Sequence, residues 1–473
     1  MLFNSFQFLF IFLPVVVLGN GLLRHFSGAR AAQLWLLAAS LFFYAWPRPE
    51  QLPLLLASIV VNWAILQRMG AAGESETQRQ RWLWIGLVAN IGFLATFKYV
   101  NFALGQLNAL AGTHVLIPNW DSPLGISFFT LTQVMFLVDC HQQMSKPVSL
   151  VDHASAVSFF PYVSSGPLVR VGEISEQFAA GGSAGSRLDL ARRGLLLLAM
   201  GLVKKVVIAD SLARVANAGF GAAHLSTLEA WAFSLSYTFQ IYFDFSGYSD
   251  MAVAVAWLLG YQIPQNFNTP YVSKSISEFW QRWHISLSNF ITSYLFTPIL
   301  RSFRKATIRS SMVATLIAMT IAGLWHGPAW TYVVFGVIHG AALGINQYWK
   351  RSKRKLPPGA GWLLTFLLVN AAFVVFRSPD LPAAGAMLLD MIPHGGDMFG
   401  TSLLATVVEF KLSTLVKPVV VGVVIAFAFK SAWERALSFK PTLAASLATS
   451  GLFVLSFLYI NSSVAKRFVY FAF

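Results

Sequence analysis

The sequence is poor in charge. Asp, Glu, Lys and Arg make up 11% of its 473 residues, against roughly a quarter in an ordinary globular chain. So few charges cannot coat a soluble protein of this size. The prior of ~150 residues per soluble domain therefore does not apply. Acidic residues are the scarcer sign, 19 against 34 basic ones. Cysteine is nearly missing: Cys140 stands alone, which excludes an intrachain disulfide framework. The nine histidines are scattered, with no Cys/His spacing suited to zinc, so no metal site is expected. There is no phosphate-binding loop, so nucleotide chemistry of that kind has no sequence support. Internal repeats and low-complexity tracts are also missing.

What is present is apolar. Hydrophobic residues reach 56%, mean hydropathy is +0.61, and 41 Phe, 15 Trp and 13 Tyr exclude a disordered chain. About 20 apolar residues cross a bilayer as a helix. The chain therefore reads as an all-α polytopic membrane protein, with about eleven transmembrane helices plus re-entrant or buried ones. Its basic excess, net +15, is read as membrane topology and not as nucleic-acid binding. Three basic loops are expected on the cytoplasmic side: Gln67–Arg81, Lys350–Lys355, and the group Arg301, Arg304, Lys305 and Arg309. The alternative for them is attraction of an anionic cofactor such as coenzyme A. Phe6–Leu18 has no basic leader and no small-residue cleavage site after it, so it reads as a retained first helix.

One membrane-embedded domain is expected over 1–473. Residues 1–115 would be peripheral helices, 120–348 the catalytic core, and 360–473 C-terminal helices with an aromatic tail. Phe6–Leu23 and Leu34–Trp46 read as separate helices, the second joined to Leu52–Leu66 by a turn at Pro47-Arg48-Pro49. Trp231–Phe243 and Met251–Leu259 read as two apolar segments around a polar knot. Pro123–Cys140 and Val157–Val169 are apolar but interrupted by Gly, Ser, Thr, Gln, Asp and Pro, so both are expected inside protein and away from lipid.

An ionisable group inside an apolar stretch is costly unless paired or hydrated. Four clusters stand out on that ground. The first is Tyr242–Asp250, with Asp244 and Asp250. Here Gly247 is expected to allow a chain reversal, and Asp250 to cap the next helix; capping with a salt bridge and direct substrate contact both stay open. The second runs from Asn266-Phe267-Asn268-Thr269-Pro270-Tyr271 to Glu278–Ser286. Glu278 and Arg282 are four apart and share a helix face. His284 is either a satisfied structural histidine or an active-site group. The third is Gly323-Leu324-Trp325-His326-Gly327-Pro328. Pro328 disfavours helix at Gly327, which puts the His326 imidazole at a helix end. His339 falls in the next apolar span and could line the same cavity. The fourth is the tail Arg467–Phe473, where Tyr470 is the one hydroxyl. A buried neutral histidine suits general-base work on a hydroxyl, which points to acyl or similar group transfer onto an alcohol.

These runs resemble the membrane-bound O-acyltransferase family, most of all its bacterial branch containing the membrane component of alginate O-acetylation. The matching runs are Pro123–Phe128, Gly166–Arg170, Tyr242–Asp250, Asn266–Tyr271, Glu278–Ser288 and Leu324–Gly327, in the family's order and across nearly the whole chain. The resemblance implies a ring of helices around a central funnel, where donor and acceptor meet from opposite sides. It implies that His326 is the catalytic histidine of the Trp-His-Gly motif and His284 the second motif histidine. It implies that Tyr470, in an aromatic tail similar to that of the bacterial branch, is a candidate acyl carrier. Trp325, Arg282, Trp283, Asp244, Asp250, Asn268 and His339 are the expected substrate-site lining. The donor would be acetyl-CoA or another cytoplasmic thioester, with no resident cofactor. The partner would be a periplasmic O-acetyltransferase acting on a polysaccharide, and the location the bacterial inner membrane. A lipid or teichoic-acid-type acyltransferase of the same family and a transporter without covalent chemistry are the alternatives. The sequence departs from many relatives after His284: Ser293-Tyr294-Leu295-Phe296-Thr297-Pro298-Ile299-Leu300-Arg301 replaces an acidic, glycine-containing stretch.

Overall fold

The computed structural model describes all residues except 72–74, 119, 183–185, 221–224, 355, 394–411, 461–467 and 469–473, and omits the side chains of 412–418. Helices dominate, and no strand occurs among the described residues. The chain forms two compact units: Met1–Leu196 with Met251–Pro264, and Leu197–Asp250 with Gln265–Phe473.

In the first unit, helix α1 (Leu13–Ala45) joins the two apolar runs expected to be separate. Gly28 supplies the break between them: it sits at φ 85 inside the helix, a conformation open to glycine without steric cost. The Pro47-Arg48-Pro49 turn follows, then α2 (Leu52–Met69), α3 (Glu76–Lys98) and α4 (Val100–Ala111). The last two are bent by 62°. Helix α5 (Ile126–His141) has nearly all its side chains buried, polar Gln133 and Asp139 among them. Gln133 Nε2 donates to Ser58 Oγ at 2.8 Å, which satisfies an amide that lipid could not. Gly125 enters this helix at φ 68, and a side chain there would strike the Val163 carbonyl. Val157–Val169 is buried throughout and leaves the helix after Ser158, with Ser40 Oγ accepting from the Phe160 N–H at 3.1 Å. Both segments are enclosed by protein, as their interrupted sequences predict, the first as a helix and the second as irregular backbone after Ser158.

Helices α6 (Leu150–Ser158) and α7 (Val171–Ala179) belong to the first unit, α8 (Arg187–Leu202) begins in it, and the second unit holds α9 (Asp210–Gly219) and the long helix α10 (Thr227–Leu258) as far as Asp250. A π-helix, Val203–Ala209, links α8 to α9. The expected reversal at Gly247 does not occur, because Tyr242–Asp250 is continuous helix. A Cβ at Gly247 would stand 2.9 Å from the Gly201 carbonyl oxygen and 3.2 Å from the Lys205 nitrogen. Glycine is required there for close packing of two helical backbones, not for a turn. Asp250 likewise is not a cap; it lies inside α10 and pairs with Lys204.

Short helices α11 (Ile276–Arg282), α12 (Ile285–Phe290) and α13 (Thr297–Ser302) precede α14 (Ile308–His326) and α15 (Trp330–Arg351). After them come α16 (Ala360–Arg377), α17 (Leu381–Asp390), α18 (Leu412–Ala428), α19 (Ala432–Leu437) and α20 (Leu443–Ile460). Helices α14 and α15 touch backbone to backbone. Side chains at Gly323 or Gly336 would strike the Tyr332 or Met319 carbonyl, and one at Gly340 would stand 2.9 Å from the Leu316 Cα. Small residues permit such approach between apolar helices, where van der Waals contact replaces the hydrophobic effect as glue.

By length and composition, five described helices can cross a membrane, or six if the bent α3–α4 pair counts as one span. About eleven were expected. Two pairs of segments expected to be separate are joined here: Phe8–Ala45 is one 38-residue candidate, and Trp231–Phe243 and Met251–Leu258 lie on the single helix α10.

Candidate functional site

The chemistry-bearing residues of the second unit gather around an aromatic shell. Helix α14 ends at His326 because Gly327 is extended and Pro328 follows. A side chain on Gly327 would strike the Tyr332 ring, so the break is also close-packed. His326 is buried, with its ring centroid 5.0 Å from Trp325, 5.2 Å from Phe376 and 6.1 Å from Phe335. Phe335 also packs 4.5 Å from His339 and 6.2 Å from Phe373. Phe373 stands 5.2 Å from Trp283, which stands 5.0 Å from Phe267, which stacks 6.4 Å from His284. All three histidines are thus joined through one continuous set of ring contacts.

His284 takes the left-handed conformation, φ 44, at the start of α12. Its Nδ1 lies 3.2 Å from Asn266 Oδ1. The same oxygen is 3.2 Å from the Ser286 backbone nitrogen and 2.9 Å from its Oγ. A backbone N–H can only donate, so the Asn266 atom facing Ser286 is the carbonyl oxygen. His284 Nδ1 must then be the donor, and in the neutral ring the acceptor lone pair falls on Nε2. Asn266 is held in turn by its Nδ2, which donates to Ser249 Oγ at 3.3 Å.

His339 has the opposite tautomer. Trp280 Nε1, a donor only, reaches its Nδ1 at 3.2 Å. The proton of the neutral ring therefore sits on Nε2, which is buried and meets no hydrogen-bond partner among the described residues. Trp280 also lines a cleft of about 330 Å³. Apolar walls there carry the amides of Gln281, Asn289 and Gln347 and the hydroxyls of Ser288 and Thr292. The divergent 293–301 stretch adds Phe296 to this lining.

The remaining predicted site residues mostly bind each other. Arg282 pairs with Glu278 at 3.0 Å and donates to the Asn268 carbonyl at 3.3 Å. The Asn268 backbone N–H donates to the Arg282 carbonyl at 2.9 Å, while its buried side-chain Oδ1 meets no partner among the described residues. Trp283 stacks on Phe279 at 5.5 Å. Asp250 pairs with Lys204 at 2.6 Å, and Asp244 with Lys205 at 2.6 Å. Tyr470 lies outside the described residues. Sequence reasoning passed over Asn266 as a site residue and over the pairing of Lys204 and Lys205. Two lysines in one apolar run and two carboxylates in another were the available signal.

The model of "MBOAT, membrane-bound O-acyltransferase family" matches residues 77–376. A peptidoglycan O-acetyltransferase of Helicobacter pylori is 37% identical, covering 84% of this chain and 80% of that protein. A probable alginate O-acetylase of Azotobacter vinelandii is 34% identical over the whole of both chains. More distantly, a teichoic acid D-alanyltransferase of Streptococcus thermophilus is 28% identical over 54% of this chain and 68% of its own.

Proposed function

The chain belongs to the membrane-bound O-acyltransferase family and is a multi-pass membrane acyltransferase; from that premise we propose that it moves an acetyl group from a cytoplasmic thioester, acetyl-CoA in the simplest case, across the bacterial inner membrane for O-acetylation of a cell-envelope polysaccharide. The acetyl group and the glycan acceptor follow the names of the relatives that match most of the chain. The observation that carries the chemistry is the pair of opposite histidine tautomers, at His284 and His339, joined to His326 through one set of ring contacts.

In this reading the attacking hydroxyl belongs to Tyr470 or to the final acceptor. His326, assisted by the Nε2 lone pair of His284, takes its proton. The hydroxyl oxygen bonds to the acetyl carbonyl carbon, the C–S bond breaks, and the proton ends on the departing thiolate to give the free thiol. The Nε2–H of His339 suits the carbonyl oxygen, where negative charge develops. The amide-bearing cleft beside Trp280 suits the amide-containing arm of a pantetheine thioester. A separate periplasmic O-acetyltransferase then receives the acetyl group and delivers it to the polysaccharide. Arg282, Trp283, Asn268, Asp244 and Asp250 hold the walls of the site and do not take part in the proton transfer.

Two outcomes test this directly. Purified protein incubated with acetyl-CoA should acquire one acetyl mass on its C-terminal peptide, and Tyr470→Phe should remove both the modification and transfer while leaving abundance unchanged. Full transfer by Tyr470→Phe would sink the carrier role and make the final acceptor the direct nucleophile. Asn266→Ala frees the His284 tautomer and should lower turnover by on the order of 10² at matched abundance. Undiminished turnover in that variant would remove His284 from the proton path.

A further inference from the structure

Phe468 is the described residue of the aromatic tail, and it is buried, 2% exposed. Its ring is 4.7 Å from that of Tyr248, in an edge-to-face arrangement. The Lys205 ammonium lies over the same ring, 4.7 Å from its centroid. Lys205 also binds Asp244 at 2.6 Å and Asp210 at 2.8 Å. Every one of these groups is in the second unit, and α20, the last described helix, packs on the π-helix that carries Lys205.

An aromatic side chain in an apolar protein needs no charged neighbour to be buried. Phe468 nevertheless sits where a lysine, two carboxylates and a tyrosine converge. A desolvated ammonium gains from a ring face because the ring quadrupole supplies the electron density that water would have given. We infer that the Lys205–Asp244–Asp210 cluster with Tyr248 is a docking site for the C-terminal tail, and that Phe468 is the positioning residue that anchors it. Tyr470 follows Phe468 by two residues in the sequence. The cluster thereby sets the reach of the acyl carrier. The functional half of this inference rests on the reading of Tyr470 as carrier; the docking itself does not.

The test uses the full-length protein in membranes. A photo-crosslinking benzoylphenylalanine at position 468 should link to peptides carrying Lys205 or Tyr248, and a link confined to other peptides overturns the docking site. Phenylalanine at 468 is then replaced by rings of increasing fluorination, which keep the apolar bulk and drain the ring face of electron density. Acetyl transfer should fall stepwise to roughly a tenth at constant abundance. Transfer that stays flat across the series overturns the anchoring role, because a merely packed ring would give that result. Tyr470→Phe should keep the crosslink and lose transfer. If it keeps both, the carrier reading fails, while the crosslink and the fluorine series still decide the docking site.

Discussion

Replacing His326 with alanine should eliminate acetate released by mild alkali from the envelope or secreted polysaccharide, in cells that hold the variant at wild-type abundance. Positioned general bases contribute about 10²–10⁴ in rate, and no other imidazole occupies the end of α14. Alanine also leaves a hole among Trp325, Phe335 and Phe376, so a second variant is needed. His326→Gln keeps the volume and polarity of the site but cannot take up a proton near neutral pH. The two should be equally inactive. Unchanged acetate in both would remove His326 from the chemistry and direct attention to lipid acceptors. Activity in glutamine alone would assign the histidine to packing.

The parts of this site that the sequence made legible are those set by near neighbours. His326 at a helix end follows from Gly327-Pro328, because proline restricts the residue before it. Glu278 and Arg282 pair because four residues bring two side chains to one face of a helix. The buried character of Pro123–Cys140 and Val157–Val169 follows from polar groups that hydrocarbon cannot satisfy. In each case the physics acts within a turn or two of chain.

The parts that were not legible depend on distant residues. Gly247 looked like a hinge, and glycine serves hinges and tight helix packing equally; only the approach of Gly201 and Lys205 decides between them. Gly28 was not recognised as a kink because the apolar runs on either side read equally well as separate helices. Asn266 fixes His284 across a turn that carries no periodicity. Apolar pattern also divided segments that the fold joins: the interior charges of α10 do not interrupt it.

The charge cluster makes the second large prediction. Lys205 is fully buried between Asp244 and Asp210, and both carboxylates are almost fully buried as well. Lys205→Met therefore removes the buried ammonium that both carboxylates share. Removing one partner of a buried ion pair costs about 3–5 kcal/mol, because the charge left behind keeps its desolvation penalty and loses its compensation. The variant should unfold at markedly lower temperature in detergent and should accumulate poorly in membranes. Adding Asp244→Asn and Asp210→Asn to Lys205→Met removes the stranded charge and should recover most of that loss, since a neutral replacement of a whole buried cluster is often harmless to stability. Recovery without return of acetyl transfer would separate the two roles of the cluster. The fold would then tolerate a neutral core, while the tail would still lack the ammonium on which Phe468 rests. A Lys205→Met protein as stable as the wild type would show that the carboxylates are hydrated or protonated, and the ion cluster would lose its claim to hold this part of the bundle together.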